Sequence, residues 1–164
     1  MSQGNILDKV KKLREITGVG FKDCKIAIDE TKGDIEKSIE LLRKKGIAKA
    51  SKRMGRTAAE GLVCIYENKN KFSMIEINCE TDFVAKNEEF INFVEEISQL
   101  SLAASGKIKE ILKSKMKNKK NVEENLVDLV SKIGEKITLR RSAFLENNKL
   151  LNFSYTHASI KKNI

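Results

Sequence analysis

The stretch Glu76-Ile77-Asn78-Cys79-Glu80-Thr81-Asp82-Phe83-Val84-Ala85-Lys86-Asn87 constrains the fold more than any other part of this chain. Across residues 74–79 the side chains are mainly apolar and β-branched, with Ser73, Glu76, Asn78 and Glu80 interspersed, the pattern of a strand with one covered face. Thr81 and Asp82 follow, and each offers a side-chain oxygen suited to the orphan amides of a helical first turn. A strand must therefore hand over to a helix within a few residues, and Phe83 falls on the rim where the chain reverses. Its ring has two readings. It can pack back on its own helix as a hydrophobic staple, or project as an anchor for a pocket on another protein. The residues by themselves leave both open.

The flanking segments extend this unit. Leu62-Val63-Cys64-Ile65-Tyr66 predicts a strand, residues 67–71 a hairpin loop and residues 72–80 the return strand. Asn87 is placed to cap a long helix carrying Phe90, Ile91, Phe93, Val94, Ile97, Leu100, Ser101 and Ala104 on the face that covers the sheet, with Gly106 closing it. Residues 107–120 hold seven Lys against one Glu, and Ile108, Ile111, Leu112 and Met116 predict a weak helix there with a solvated basic face. Asn121 caps a further helix with Leu126, Leu129, Val130 and Ile133 inward, ending at Gly134. Residues 137–145 alternate as a third strand, and Asn147-Asn148 turns the chain towards a last strand over residues 149–155. The expected class is α+β, a small antiparallel sheet packed with helices over residues 61–148.

Ahead of it lies a different pattern. Ile6, Leu7, Val10, Leu13 and Ile16 recur at helical spacing, and Thr17-Gly18-Val19-Gly20 stops that helix. A second helix over residues 22–31 partly buries Cys24, Ile26, Ala27 and Ile28, and Asp34 caps a third with Ile35, Ile39 and Leu42 on one face, ending before Gly46. Residues 1–46 thus form a minimal three-helix bundle, barely large enough to hold itself together. Val19 and Phe21 lie on the loop after the first helix, either as a docking edge or, for Phe21, as filling for the small core. Residues 44–56 contain six basic side chains, no acidic one and two Gly, which reads as a solvated basic linker over 47–60, with a helical continuation through residues 47–50 as the alternative.

Composition narrows the function. No apolar run approaches the roughly 20 residues needed to cross a bilayer, and no h-region opens the chain; neither a membrane partner nor a secretory signal is expected. Cys24, Cys64 and Cys79 lack CxxC spacing and suit buried thiols in a reducing compartment. His157 is the single imidazole, so no metal site, cofactor or Cys–His hydrolytic pair is expected. The net charge of +9 invites a nucleic-acid reading, but it is uneven: +6 over residues 1–60, −5 over 61–106 and +8 over 107–164. The region around Phe83 is therefore acidic, which repels a phosphate backbone and suits a basic or neutral protein surface.

Ile77-Asn78-Cys79-Glu80-Thr81-Asp82-Phe83-Val84-Ala85-Lys86 resembles the signature of the elongation factor Ts family, nucleotide-exchange factors for elongation factor Tu. Thr17-Gly18-Val19-Gly20-Phe21-Lys22-Asp23-Cys24-Lys25 with Gly33-Asp34-Ile35-Glu36 resembles that family's N-terminal signature. Lys132-Ile133-Gly134-Glu135-Lys136-Ile137 followed by Leu139-Arg140-Arg141 resembles a third block. The resemblance implies an N-terminal bundle of the ubiquitin-associated type, docking on elongation factor Tu through Arg14, Phe21 and Lys22; Phe21 stands where some relatives carry Met. It implies that Thr81, Asp82, Phe83 and Val84 meet the partner, Phe83 wedging between helices of its nucleotide domain and Asp82 displacing elements around the Mg²⁺ site. His157 is a further implied contact, within Phe153-Ser154-Tyr155-Thr156-His157-Ala158-Ser159, which resembles the start of a second, similar subdomain. Residues 149–164 are then either the beginning of that incomplete subdomain or a tail. The chain resembles either shorter members, which dimerise, or a truncated form, and the apolar Leu150, Leu151 and Phe153 on an uncovered edge strand point to self-association, as a homodimer, through residues 137–155.

The expected function is thus non-covalent: exchange on elongation factor Tu, in its GDP-bound and nucleotide-free forms, without catalytic residues, in the cytoplasm or an organellar matrix. The second reading is a basic RNA-binding protein working from residues 44–56 and 107–120, weakened by the lack of interleaved aromatics for base stacking.

Overall fold

The computed structural model describes residues 3–149, 153–157, 159–160 and 164. Two compact units emerge: residues 1–55 with Val127–Gly134, and residues 56–126 with 135–164. The class is α+β, helices followed by a three-stranded antiparallel sheet packed with helices.

In the first unit α1 (Gln3–Thr17), α2 (Phe21–Glu30) and α3 (Ile35–Arg53) close on a core of Val10, Leu13, Cys24, Ala27, Ile28 and Leu42. Val19, not Phe21, packs against that core from the first loop, and Phe21 is exposed, so the core-filling reading of its ring fails. Ile26, expected to be partly buried, is also exposed. Asp34 caps α3, its carboxylate accepting from the Lys37 amide at 3.0 Å.

α3 does not stop before Gly46. It runs to Arg53, so the stretch expected to be a basic linker is helical over its first half, and residues 54–59 alone lack a regular element. The reason is packing. Gly46 is buried, and a Cβ there would lie 2.5 Å from Ser131 Oγ, so this glycine admits a close neighbour and does not break the helix. The helix accepts a mid-helix glycine, which costs about 1 kcal/mol against alanine. Its charges are also matched, with Lys45 Nζ 2.7 Å from Glu30, Lys49 Nζ 2.7 Å from Asp23 and Arg53 donating to Val130 O at 2.9 Å.

In the second unit β1 (Glu60–Asn68), β2 (Lys71–Cys79) and β3 (Thr138–Glu146) form an antiparallel meander in the order β1-β2-β3. The hairpin is tighter than predicted: Asn68 pairs with Lys71, leaving Lys69 and Asn70 as the turn. α4 (Asp82–Ala85) and α5 (Glu88–Ala103) follow β2, and α6 (Ile108–Lys113) precedes β3; α7 (Val122–Ile133) begins in this unit, and from Val127 on it belongs to the first. α5 lies across β1 and β2 and fully buries Phe90, Val94 and Ile97 with Ile75 and Ile77. Burying each such side chain stabilises by about 1.5–3 kcal/mol. Ser73, on the same strand face, donates to Ser98 O of α5 at 3.2 Å.

Two local features set the end of this sheet that leads to the turn. Gly61 has φ +144, and a Cβ there would meet Ile77 O at 2.2 Å, so β1 crosses β2 at a spacing only glycine allows. A bulge at Arg140 sets Glu76 opposite Arg141 and Ile77 opposite Leu139. Glu76, nearly buried, thereby accepts from Arg140 Nη1 at 3.0 Å and from Arg141 Nε. α7 opens with a capping box: Asn121 Oδ1 accepts from Glu124 N at 2.7 Å and Asn121 N donates to Glu124 Oε2 at 2.9 Å.

Of the strand expected over residues 149–155, residues 150–152 lie outside the described residues and 153–155 make no strand pairing. Among the described residues no helix is long and apolar enough to cross a membrane.

Candidate functional site

The turn between β2 and α5 is held from beneath by a carboxylate far away in sequence. Glu135 Oε2 accepts from the amides of Glu80 and Thr81, each at 3.0 Å, and Glu135 Oε1 accepts from Thr81 Oγ1 at 2.7 Å. Thr81 Oγ1 accepts in turn from Val84 N at 3.4 Å, which makes Thr81, not Asp82, the cap of α4. The arrangement is reciprocal. Glu80 Oε1 accepts from Lys136 N at 2.6 Å, lies 3.4 Å from Arg56 Nη1, and Lys136 Nζ reaches Arg56 O at 2.8 Å. On the far side Asn87 Oδ1 accepts from Glu89 N at 2.9 Å and Phe90 N at 3.3 Å, capping α5 as expected.

With Thr81 as cap, Phe83 stands at the second position of α4. A hydrophobic staple needs the residue before the cap, so that reading is geometrically closed. The Phe83 side chain is instead 80% exposed, between two fixed caps. Val84 and Ala85 are buried and root the turn. Val84, expected with its neighbours at a partner surface, therefore points inward: a one-turn helix sends its second and third residues to different sides.

Asp82 sits beside Phe83 with Oδ2 at 2.7 Å from Lys86 Nζ, one turn on. That hydrogen bond holds its carboxyl below the ordinary range and raises the Lys86 ammonium above its own. Both groups remain at the surface, where such a pair adds little stability. Cys79 closes the strand below the turn, its Sγ donating to Thr81 O at 3.2 Å. Burial first, then the nearby Glu135 and Glu60 carboxylates, push its thiol up to about 11. Burial raises Cys24 and Cys64 as well, the opposite of what a thiolate nucleophile requires.

Among the described residues no group of three or more His, Cys, Asp and Glu side chains could hold a metal ion. What the turn can do chemically is present a rigid aromatic ring and an adjacent carboxylate for binding.

The other predicted positions are elsewhere. Arg14, Phe21 and Lys22 are exposed where α1 passes into α2, at one end of the bundle in the other unit. His157 is exposed, with Nδ1 3.0 Å from Tyr155 OH. Three residues before it Ser154 donates to Glu67 at 3.2 Å, near the hairpin end of β1, whereas the turn adjoins Glu60 at the opposite end. The intervening strand spans roughly 23 Å at about 3.3 Å per residue, so His157 does not join the turn. Glu135, Glu80, Lys136 and Arg56, which hold the turn, carry no periodic or spacing signal; the pointers in the sequence are that Glu80 lies in the first block of the resemblance and Glu135 and Lys136 in the third.

The model of the family "Elongation factor TS" matches residues 80–164. The chain is 47% identical over 151 residues to an elongation factor Ts of Clostridium perfringens, covering 90% of this chain and 50% of that protein. It is 48% identical over 153 residues to one from Clostridium kluyveri, at 90% and 50% coverage, and 48% identical over 155 residues to one from Rhodospirillum rubrum, at 93% and 50%. The chain spans about half the length of the curated relatives it matches.

Proposed function

The chain belongs to the elongation factor Ts family, and on that premise we propose that it is a guanine-nucleotide exchange factor of translation elongation, acting on elongation factor Tu. The observation that carries this reading is Phe83, an aromatic ring 80% exposed on a turn fixed by Glu135. An exposed ring has no folded-state benefit to explain it, and a rigid mount lowers the ordering cost of inserting it into a partner.

The mechanism is differential binding. A factor that binds the nucleotide-free conformer more tightly than the GDP-bound one drives release, by no more than that difference in affinity. The coupling is reciprocal, so rebinding of nucleotide loosens the factor. Phe83 acts as the wedge between helices of the partner's nucleotide domain, and Asp82 brings its charge towards the Mg²⁺ site. Thr81 and Val84 hold the turn from within. Arg14, Phe21 and Lys22 form a separate docking edge, and His157 belongs to a different surface from the wedge. The site of action is the cytoplasm or an organellar matrix.

Self-association belongs to the same reading. β3 is an edge of the sheet, and the face turned away from α5 exposes Val63, Met74 and Leu145. A second copy placed there would cover these side chains. A strictly monomeric mass by light scattering at high protein concentration would remove this part alone. The exchange reading is tested by mixing the full chain with elongation factor Tu loaded with fluorescent GDP. Accelerated release supports it; release at the intrinsic rate at saturating chain concentrations overturns it.

A further inference from the structure

Two basic runs stand out in the sequence, and the fold treats them differently. Within residues 44–56, Lys44, Lys45, Lys49 and Arg56 each face a carboxylate. Residues 107–120 carry seven lysines and one glutamate, +6 of the whole chain's +9, and all seven lysines are exposed. Among the described residues Lys107, Lys109, Lys113, Lys115, Lys117 and Lys119 make no ion pair. A general lysine-rich bias would spread charge along the chain; it does not explain this concentration.

Blocks of like charge are usually disordered, but this one is built. Ser114 O accepts from Val122 N at 3.0 Å, Met116 N donates to Lys120 O at 2.9 Å, and Lys119 N donates to Met116 O at 2.8 Å. Lys115 and Asn121 pair across the hairpin so formed. Ile111, Met116 and Val122 are buried as its anchors, and Glu96 of α5 spends its carboxylate on the Lys117 amide at 2.6 Å, not on a lysine ammonium. The fold thus holds mutually repelling lysines together and turns every apolar side chain of the segment at least partly inward.

We propose that the ordered lysine segment of residues 107–120, α6 and the hairpin that follows it, is a contact for the phosphate backbone of a double-stranded nucleic acid, a property separate from exchange. The side chains present select this partner. A protein interface needs aromatic or aliphatic anchors at its centre and is depleted in lysine, and the hairpin exposes no such anchor. Insertion into a membrane surface needs the same exposed apolar groups. Single strands are held by base stacking on aromatics, and no aromatic occurs between Phe93 and Phe144. What remains is charge presented to regularly spaced phosphates, which yields affinity without sequence preference.

The test is anisotropy of labelled RNA and DNA duplexes of about 20 base pairs, titrated with the full chain at several salt concentrations. If about four lysines meet phosphates, affinity falls about a hundredfold between 50 and 200 mM salt. Lys115→Gln/Lys117→Gln/Lys119→Gln should weaken binding at least about tenfold at low salt and flatten the salt slope by about 0.9 for each phosphate no longer neutralised. Lys11→Gln/Lys12→Gln/Lys25→Gln removes the same charge from the bundle and should leave most of the binding intact. Should the hairpin variant misfold by circular dichroism, Lys107→Gln/Lys109→Gln, outside the hairpin, carries the same expectation. Binding to both duplexes, or to RNA alone, supports the proposal. Equal losses from hairpin and bundle variants, no duplex binding at low salt, or tighter binding to poly-glutamate or anionic vesicles overturns it.

Discussion

Removing the Glu135 carboxylate tests how the turn is mounted. In Glu135→Ala the amides of Glu80 and Thr81 lose their acceptor, and the Thr81 hydroxyl loses its own. Hydrogen bonds to a charged group contribute about 1.5–3 kcal/mol each when sheltered. Glu135 is only half-buried, so water replaces part of each, and about 1 kcal/mol per bond is the fitting figure, or about 2–3 kcal/mol together. At about 2–4 °C per kcal/mol for a chain of this size, the thermal midpoint should fall by about 5–10 °C. The loss is local, so hydrogen exchange reads it best: the Glu80 and Thr81 amides should exchange at least about 30-fold faster, while core amides on α5 change only with global stability. Glu135→Gln, which keeps one acceptor oxygen, should fall about midway. Thr81→Ala combined with Glu135→Ala should cost less than the two separately, because they share a bond. Unchanged exchange at the two amides, with an unchanged midpoint, would refute the mounting.

Three further outcomes follow from the core and the sheet. Arg141, then Arg140, hold the Glu76 carboxyl below its ordinary value of 4.5, so between that value and the lower folded one the unfolded chain binds more protons. This stabilisation is complete above about pH 4.5 and is lost as the pH falls through the folded value; Glu76→Gln should flatten that acid limb, as urea midpoints measured down to about pH 3 will reveal. Gly61→Ala should abolish folding or cost over about 3 kcal/mol in a denaturant titration, since its Cβ would meet backbone at 2.2 Å and its φ of +144 excludes other residues. Cys79, buried with its thiol raised to about 11, should react with an aromatic disulfide at about pH 8 far more slowly than a free thiol, and urea that opens the unit should restore the rate.

Local signals carried much of the fold. The hairpin, α5 and α7 were legible because apolar spacing changes from two to 3.6 and because Asn87 and Asn121 are strong caps. α3 was harder. Gly46 reads as a stop because the cost of glycine in a helix is local, whereas the close neighbour that demands it, Ser131, is remote in sequence. At the turn, two adjacent capping residues left the frame of α4 undecided, and with it the direction of Phe83. Choosing Thr81 fixes Phe83 outward and Val84 inward, so the four neighbours that read as one surface divide into a projection and its root. Glu135 was invisible for a different reason. A carboxylate that accepts amides from another segment needs no partner of opposite charge, so no pattern of residue types announces it.

The central claim rests on one side chain. Stimulated release of fluorescent GDP from elongation factor Tu should be measured with the full chain and with Phe83→Ala. A buried aromatic anchor typically contributes more than about 1.4 kcal/mol, a factor of ten. The account predicts release at least tenfold slower for the variant, with an unchanged circular dichroism spectrum because the ring packs little against its own chain. Equal release rates for the two proteins, with both folded, would contradict it.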